Sequence, residues 1–422
     1  MDKTSKPYVI SRRLSILQAD LEYLIAILVG STFLARLTSG MGFSDSLTGI
    51  ISSVISLGCL FQLFSLLFRK KRFKKFVVVL SIINQLLFML LYVIPLVDIP
   101  SNIKTAIFTV FIISAYFFYN VAHPKKISWL ISLVDDEIRG SFTANKEMVS
   151  LASGIVFSLV MGRVIDSMEA KGNLDGAFIL TACVILALAV LHTLTLIFCV
   201  EDCIPVSNKN VMASILSMFK NKSVLSLAVL FVLWNVASYS TVSFYGTYQI
   251  RELGFSQTLA MILTTVGSLS RIAVSKFWGR LADRRSFAVM MEYCLVFALA
   301  CWVSVVFATP KTGLICFVLY NLLHGIALGG INSALTNMIF DYVTPDKRAD
   351  SLAFCQALAG LSGFVATFLT SLLVSHIQNS GNTFLGIPVY AQQITSAIAS
   401  VFTLICILYV HFAVRRQPTV EE

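Results

Sequence analysis

Apolar runs of about 20 residues, the length at which a helix crosses a bilayer, recur twelve times in this 422-residue chain. They lie near 18–39, 47–68, 76–97, 104–130, 146–166, 177–200, 224–250, 258–278, 287–308, 313–341, 351–376 and 391–414. A helix rises about 1.5 Å per residue, so each run can cross about 30 Å of hydrocarbon. Lipid offers peptide groups no partners and open sheet edges would leave them unpaired, so the runs predict an all-α membrane protein with twelve transmembrane helices. Only 13% of residues are charged, against about 25% in soluble domains. Water is therefore not the main solvent of this chain.

Lys3, Lys6, Arg12 and Arg13 precede the first run in the manner of a signal peptide, but Asp20 and Glu22 interrupt it and no Ala-x-Ala site follows. An uncleaved first helix is expected. Eight of the nine cysteines lie in apolar segments and read as small core residues. Cys199 and Cys203 are spaced CxxxC without a histidine cluster, so no metal is expected.

The formal net charge is +10, and its distribution points to a membrane, not to nucleic acid. The N-terminus, alternate connections with their flanks and the C-terminus hold 25 basic residues, whereas the other side has six: Arg36, Lys104, Arg163, Lys171, Arg251 and Lys311. The positive-inside rule then places both termini in the cytosol, in agreement with an even helix count, and a multi-pass protein of the plasma membrane is expected.

The chain also repeats itself. GFSDSL at 42–47 recurs as GFSQTL at 254–259, RKKRFKK at 69–75 corresponds to GRLADRR at 279–285, and Arg139 after DDE corresponds to Arg348 after PDK, at offsets of 212, 210 and 209. The spacing predicts two pseudo-symmetric six-helix bundles, 1–200 and 224–422, joined by a cytosolic linker, 201–223, with a short amphipathic stretch.

GRLADRRS at 279–286 resembles the GxLaDrxGrk signature of the major facilitator superfamily, and helix count, half-repeat and linker position extend the resemblance over the chain. In physical terms Gly279 permits close helix approach, Asp283 can cap a helix N-terminus, and Arg280, Arg284 and Arg139 supply cytosolic charge. The first-half counterpart, RKKRFKK, lacks both glycine and aspartate. GIVFSLVMGRVIDS lacks the Gly-Pro pair that resembles family antiporters. The resemblance, carried through the repeat, implies that Asp283 lies beside residues 140–146 as a cytosolic latch.

Polar side chains within spans should face the bundle interior or an aqueous cavity. At about 100° per residue, Thr264, Ser268, Arg271 and Ser275 share a face, as do Trp234, Ser238, Thr241, Tyr245, Tyr248 and Gln249. Tyr116, Asn120 and His123 share another, and Asn321, His324 and Asn332 a fourth. The resemblance implies that the first, fourth, seventh and tenth helices line a central cavity, which adds Arg36 as a candidate. Ordinary packing, satisfied histidines and a snorkelling Arg36 are the competing readings. No carboxylate is clearly central: Glu22, Glu147 and Glu292 lie near cytosolic helix starts.

A membrane enzyme would need a catalytic constellation, and none is found. A receptor or sensor would append an output domain, for which the tail RRQPTVEE is short. The expected function is secondary transport of a small polar or anionic organic solute by a monomer, by alternating access; proton-coupled drug efflux is the alternative. No cofactor is expected beyond a coupling proton or sodium ion. The charge distribution makes a testable statement. Single cysteines placed in 69–75 or 201–223 react with a membrane-impermeant maleimide only after permeabilisation; labelling of intact cells would reverse the topology.

Overall fold

The computed structural model describes residues 5–41, 58–68, 72–201, 218–255, 257–384 and 386–420. The GFSDSL repeat, residues 69–71 of the basic connection, Cys203 and most of the 201–223 linker lie outside the described residues.

Ten helices among the described residues are long and apolar enough to cross a membrane. They are built on α3 (Lys74–Leu91), α4 (Ser101–Ser132), α5 (Arg139–Ala170), α6 (Leu174–Phe198), α7 (Lys222–Tyr239), α9 (Gln257–Arg284), α10 (Phe287–Val306), α11 (Gly313–Tyr342), α12 (Arg348–Asn379) and α13 (Ala391–Tyr409). Shorter helices among the described residues include α2 (Ser31–Gly40), a 3-10 helix at Gly58–Leu67, and α8 (Val242–Thr247), which runs into a π turn at Tyr248–Glu252. A two-stranded hairpin, β1 (Thr383–Phe384) and β2 (Ile387–Pro388), pairs Thr383 with Pro388 between α12 and α13.

The first predicted span, 18–39, is not one helix. Its chain forms α1 (Lys6–Leu28), which starts well before the apolar run with Pro7 in its first turn, and then breaks before α2. Hydropathy misses the early start because Arg12 and Arg13 lower it, while the fixed φ of Pro7 suits a first helical turn. The break frees backbone carbonyls, and the Tyr92 hydroxyl donates to that of Leu28 at 2.5 Å. Asn173 and Asn221 cap α6 and α7 by accepting from Gly176 N–H and from Ser223 and Val224 N–H.

The chain forms two compact units. One comprises Met1–Asp135 with Asn145–Asn208, the other Asp136–Ala144 with Lys209–Glu422. The first turns of α5 thus pack with the second unit. The core of the first unit gathers Leu28, Leu34, Leu37, Leu91, Phe108 and Ile185.

Lipid tails are as apolar as leucine, so helices in a membrane associate through close packing and polar contacts instead of a hydrophobic driving force. In the second unit α9 and α11 cross where Gly325 faces Gly267: a Cβ at Gly325 would overlap the Gly267 carbonyl oxygen and lie 3.0 Å from Ser270 Cβ. Both neighbours are backbone or short side chain and cannot swing away. Gly325→Val is therefore expected to cost about 1–3 kcal/mol through overpacking, read as a lowered thermal midpoint in detergent, whereas Gly162→Ala, which meets nothing within 4 Å, should leave the midpoint unchanged.

Candidate functional site

In the second unit, Asp283 near the end of α9 meets the start of α5. Its carboxylate accepts from the Gly140 N–H at 2.7 Å and the Ser141 N–H at 3.0 Å, and the Ser141 hydroxyl completes the contact. A helix start presents unpaired N–H groups and a positive dipole end, so a carboxylate is held there by geometry and charge together. The approach needs two glycines. A Cβ on Gly140 would lie 2.7 Å from the Gly279 carbonyl oxygen, and one on Gly279 would lie 2.8 Å from Ala144 Cβ.

Arg139 is buried beside this contact, paired with Asp136 at 2.6 Å and with Asp341, its guanidinium 5.6 Å and 5.5 Å from the Phe287 and Phe340 ring centres. Arg348, its counterpart in the repeat, stacks on the same Phe340 ring at 5.3 Å and donates to the Val343 and Phe340 carbonyls. Arg280 and Arg284 are exposed.

The face predicted over 224–250 is divided. The wheel assumes one continuous helix, but α7 ends at Tyr239, so Trp234 and Ser238 are out of register with Tyr245, Tyr248 and Gln249. Trp234, Thr241, Tyr245, Tyr248 and Gln249 are buried within the unit. Tyr245 pairs with Ser396 at 2.7 Å and Tyr248 donates to the Ala308 carbonyl at 2.8 Å, so both hydroxyls are engaged by packing.

Arg271 lies at the centre of α9. Ser268 and Ser275 on its stripe donate to carbonyls of their own helix, Thr264 and Arg271. Arg271 is electrostatically coupled to His324 of α11. The His324 ring stacks on Tyr320 at 5.0 Å and 16°, with Trp302 5.3 Å away. His324 Nε2 and Trp302 Nε1 are buried with no hydrogen-bond partner among the described residues. Asn321 donates to the Phe317 carbonyl at 2.8 Å, and Asn332 is exposed.

In the first unit Tyr116 packs edge-on against Phe88, and Asn120 donates to the Tyr116 carbonyl while accepting from Gln62 at 3.2 Å. His123 lies 5.2 Å from the Tyr119 ring. Arg36 is engaged at the far end of α5 by Asp166 at 2.6 Å and Glu169 at 3.0 Å.

One polar cluster among the described residues of this unit was not predicted. Glu22 of α1 pairs with Lys126 of α4, accepts from Gln18 at 2.5 Å and lies 3.3 Å from Nε2 of His192 on α6. The positive-inside count takes Lys125 and Lys126 for flank charges, yet both are buried within α4. Helical spacing carries the missed signal, since Tyr119, His123 and Lys126 occupy one face at i, i+4 and i+7. No group of three His, Cys, Asp or Glu side chains is placed to hold a metal among the described residues.

Many long apolar helices with ionisable side chains in their interior define a multi-pass membrane protein. The Major Facilitator Superfamily model matches residues 21–322 and 251–422, and the chain belongs to that family. No curated protein sequence matches it. Among solved structures it is similar to the E. coli fucose:proton symporter FucP, at 12% identity over 96% of this chain and 98% of that one, with a TM-score of 0.68. A bacterial homologue of the iron transporter ferroportin, outward-facing, is 13% identical over 96% and 99%, with a TM-score of 0.69. A double-Trp XylE mutant is 13% identical over 98% and 96%, also at 0.69. At such identities the likeness shows the fold, the twelve-helix fold of the family, and family members are transporters.

The geometry at Asp283 has an expected consequence. Asp283→Asn keeps the shape and one acceptor oxygen but loses the charge, which weakens the contact by about 0.3–1 kcal/mol at an exposed dipole site and more where partly buried. A lowered thermal midpoint, relieved by high salt less than an exposed ion pair would be, is the reading that checks it.

Proposed function

We propose that the chain is a secondary transporter that moves a small polar or anionic organic solute across the cell membrane by alternating access, with both termini in the cytosol. The observation that carries this reading is Arg271. It sits fourteen residues from the start of α9 and thirteen from its end, roughly 20 Å from either. A cation at the centre of a spanning helix costs about 2.5–3.5 kcal/mol on insertion scales, and such residues mark solute or ion pathways.

Its surroundings suit a solute that accepts hydrogen bonds. Trp302 Nε1 and His324 Nε2 are buried and without partners among the described residues, which is costly unless some other molecule satisfies them. Tyr320 and His324 add flat ring faces. The fucose and proton named for one structural relative, and the iron named for another, belong to those proteins; the proton gives support to proton coupling in this one.

Asp283 acts in this scheme as a cytosolic latch. It binds no solute, so it biases the equilibrium between states without contributing to affinity. Asp283→Asn is expected to slow turnover more than it weakens solute binding, and equal losses in both would remove the latch role.

Transport of a panel of labelled sugars, carboxylates and amino acids into proteoliposomes, with and without a pH gradient, tests the reading. For the solute carried, Arg271→Ala is expected to lower kcat/KM by about 10- to 100-fold, the loss of one charged hydrogen bond, and Arg271→Lys to recover part of it. Unchanged kinetics in a correctly inserted Arg271→Ala protein would assign Arg271 to packing.

A further inference from the structure

Lys276 belongs to the C-terminal third of α9 and is exposed on the side of that helix away from its packing partner. α9 meets α11 through Gly267, Val274 and Trp278, whose indole donates to the Ile326 carbonyl at 2.8 Å. At about 100° per residue Lys276, Arg280 and Arg284 follow one another at i, i+4 and i+8, all exposed, on a face centred at Arg280. Arg280 is nine residues from Arg271, half a revolution away, so this face is not the one that Arg271 occupies. Toward the other end the same face carries Leu269 and Ile262, each 55% exposed, and Phe277 lies beside Lys276 at 61%. Exposed apolar side chains followed by exposed cations along one stripe are what a helix shows to the acyl and headgroup layers of one leaflet.

The depth of Lys276 sets the problem. α10 has 20 residues, just enough to cross about 30 Å of hydrocarbon, and it starts at Phe287, three residues after α9 ends at Arg284. The hydrocarbon boundary therefore falls near that turn, and Lys276, eight residues before Arg284, lies about 12 Å inside it along the helix. Its Cα–Cβ bond tilts toward the helix N-terminus, away from the near surface, so its stem recovers only part of that depth. Three like charges one turn apart also repel one another. Asp283, the carboxylate nearest in sequence, is committed to the Gly140 and Ser141 N–H groups, and Asp136 and Asp341 are committed to Arg139. Among the described residues none of the three cations is in an ion pair.

We infer that the Lys276–Arg280–Arg284 ladder is a docking site for one anionic phospholipid, its phosphate between Lys276 and Arg280 and an acyl chain along Leu269 and Ile262. The charges are complementary: the phosphodiester brings to Lys276 the counter-anion that the chain itself does not provide. A soluble anion would have to shed its water to reach that depth, whereas a lipid phosphate arrives already attached to chains that match the exposed apolar residues above it. A zwitterionic headgroup carries its own cation and neutralises the ladder less.

Native mass spectra of the full chain in detergent, titrated with phosphatidylglycerol or phosphatidylcholine, test this. The wild type is expected to retain one phosphatidylglycerol in preference to phosphatidylcholine. Lys276→Gln and Arg280→Gln are each expected to weaken that retention about fivefold, the effect of one cation near an anionic lipid surface, while Lys276→Arg keeps it. Arg416→Gln, which removes an exposed cation over Phe412 beyond the end of α13, should leave retention unchanged. The thermal midpoint is a second readout: phosphatidylglycerol should raise it in the wild type, as a ligand of the folded state does, and not in the Lys276→Gln, Arg280→Gln double variant. Equal retention by the wild type and the double variant would overturn the site. An equal loss in Arg416→Gln would reduce it to a diffuse attraction of the basic surface, and displacement of the lipid by excess inorganic phosphate would make it a site for soluble phosphate. The assay involves no transport, so its outcome is independent of the reading above.

Discussion

Hydrocarbon offers no hydrogen-bond partner, and most features of this chain follow from that one deficit. Hydroxyls on the spanning helices return to their own backbone: Thr109, Thr181, Ser270, Ser275 and Thr403 each donate to the carbonyl four residues back. Where a helix stops, inside the span or at its end, a side chain from elsewhere serves a freed carbonyl, as Tyr92 does for Leu28 and Tyr248 for Ala308. The helices can then approach closely only where side chains are absent, which is why Gly267 and Gly325, or Gly140 and Gly279, meet at their crossings.

Charge obeys the same rule with larger stakes. Arg139 and Arg348 are buried in the second unit, where both lie over the Phe340 ring and Arg139 pairs with the Asp341 carboxylate. Lys126 and Glu22 satisfy each other in the first unit. Arg271 lies near the middle of its helix, fourteen residues from the start of α9 and thirteen from its end.

Fold class was legible in the sequence because apolar length is a local property, and the family because its signature at 279–286 sits at a fixed place in the repeat. The position of Asp283 was legible too, since the family resemblance, carried through the parallel repeat, implies a place beside the start of α5. Breaks within apolar runs were not. Nothing in the composition of 18–39 or 224–250 announces that α1 ends at Leu28 or α7 at Tyr239, and the second break cancels the angular argument built across it. Lys126 was missed for a different reason. A basic residue near a helix end reads as a surface charge until its partner is known, and Glu22 lies 104 residues away in sequence.

The cap on α5 imposes an order of events during synthesis. Gly140 and Asp283 are 143 residues apart, a stretch that takes roughly 7–30 s to translate at 5–20 residues per second. Until then the first turn of α5 has no carboxylate to accept its N–H groups and no Gly279 to pack against. The nascent chain must therefore carry an unfinished helix start through the insertion of three further spans.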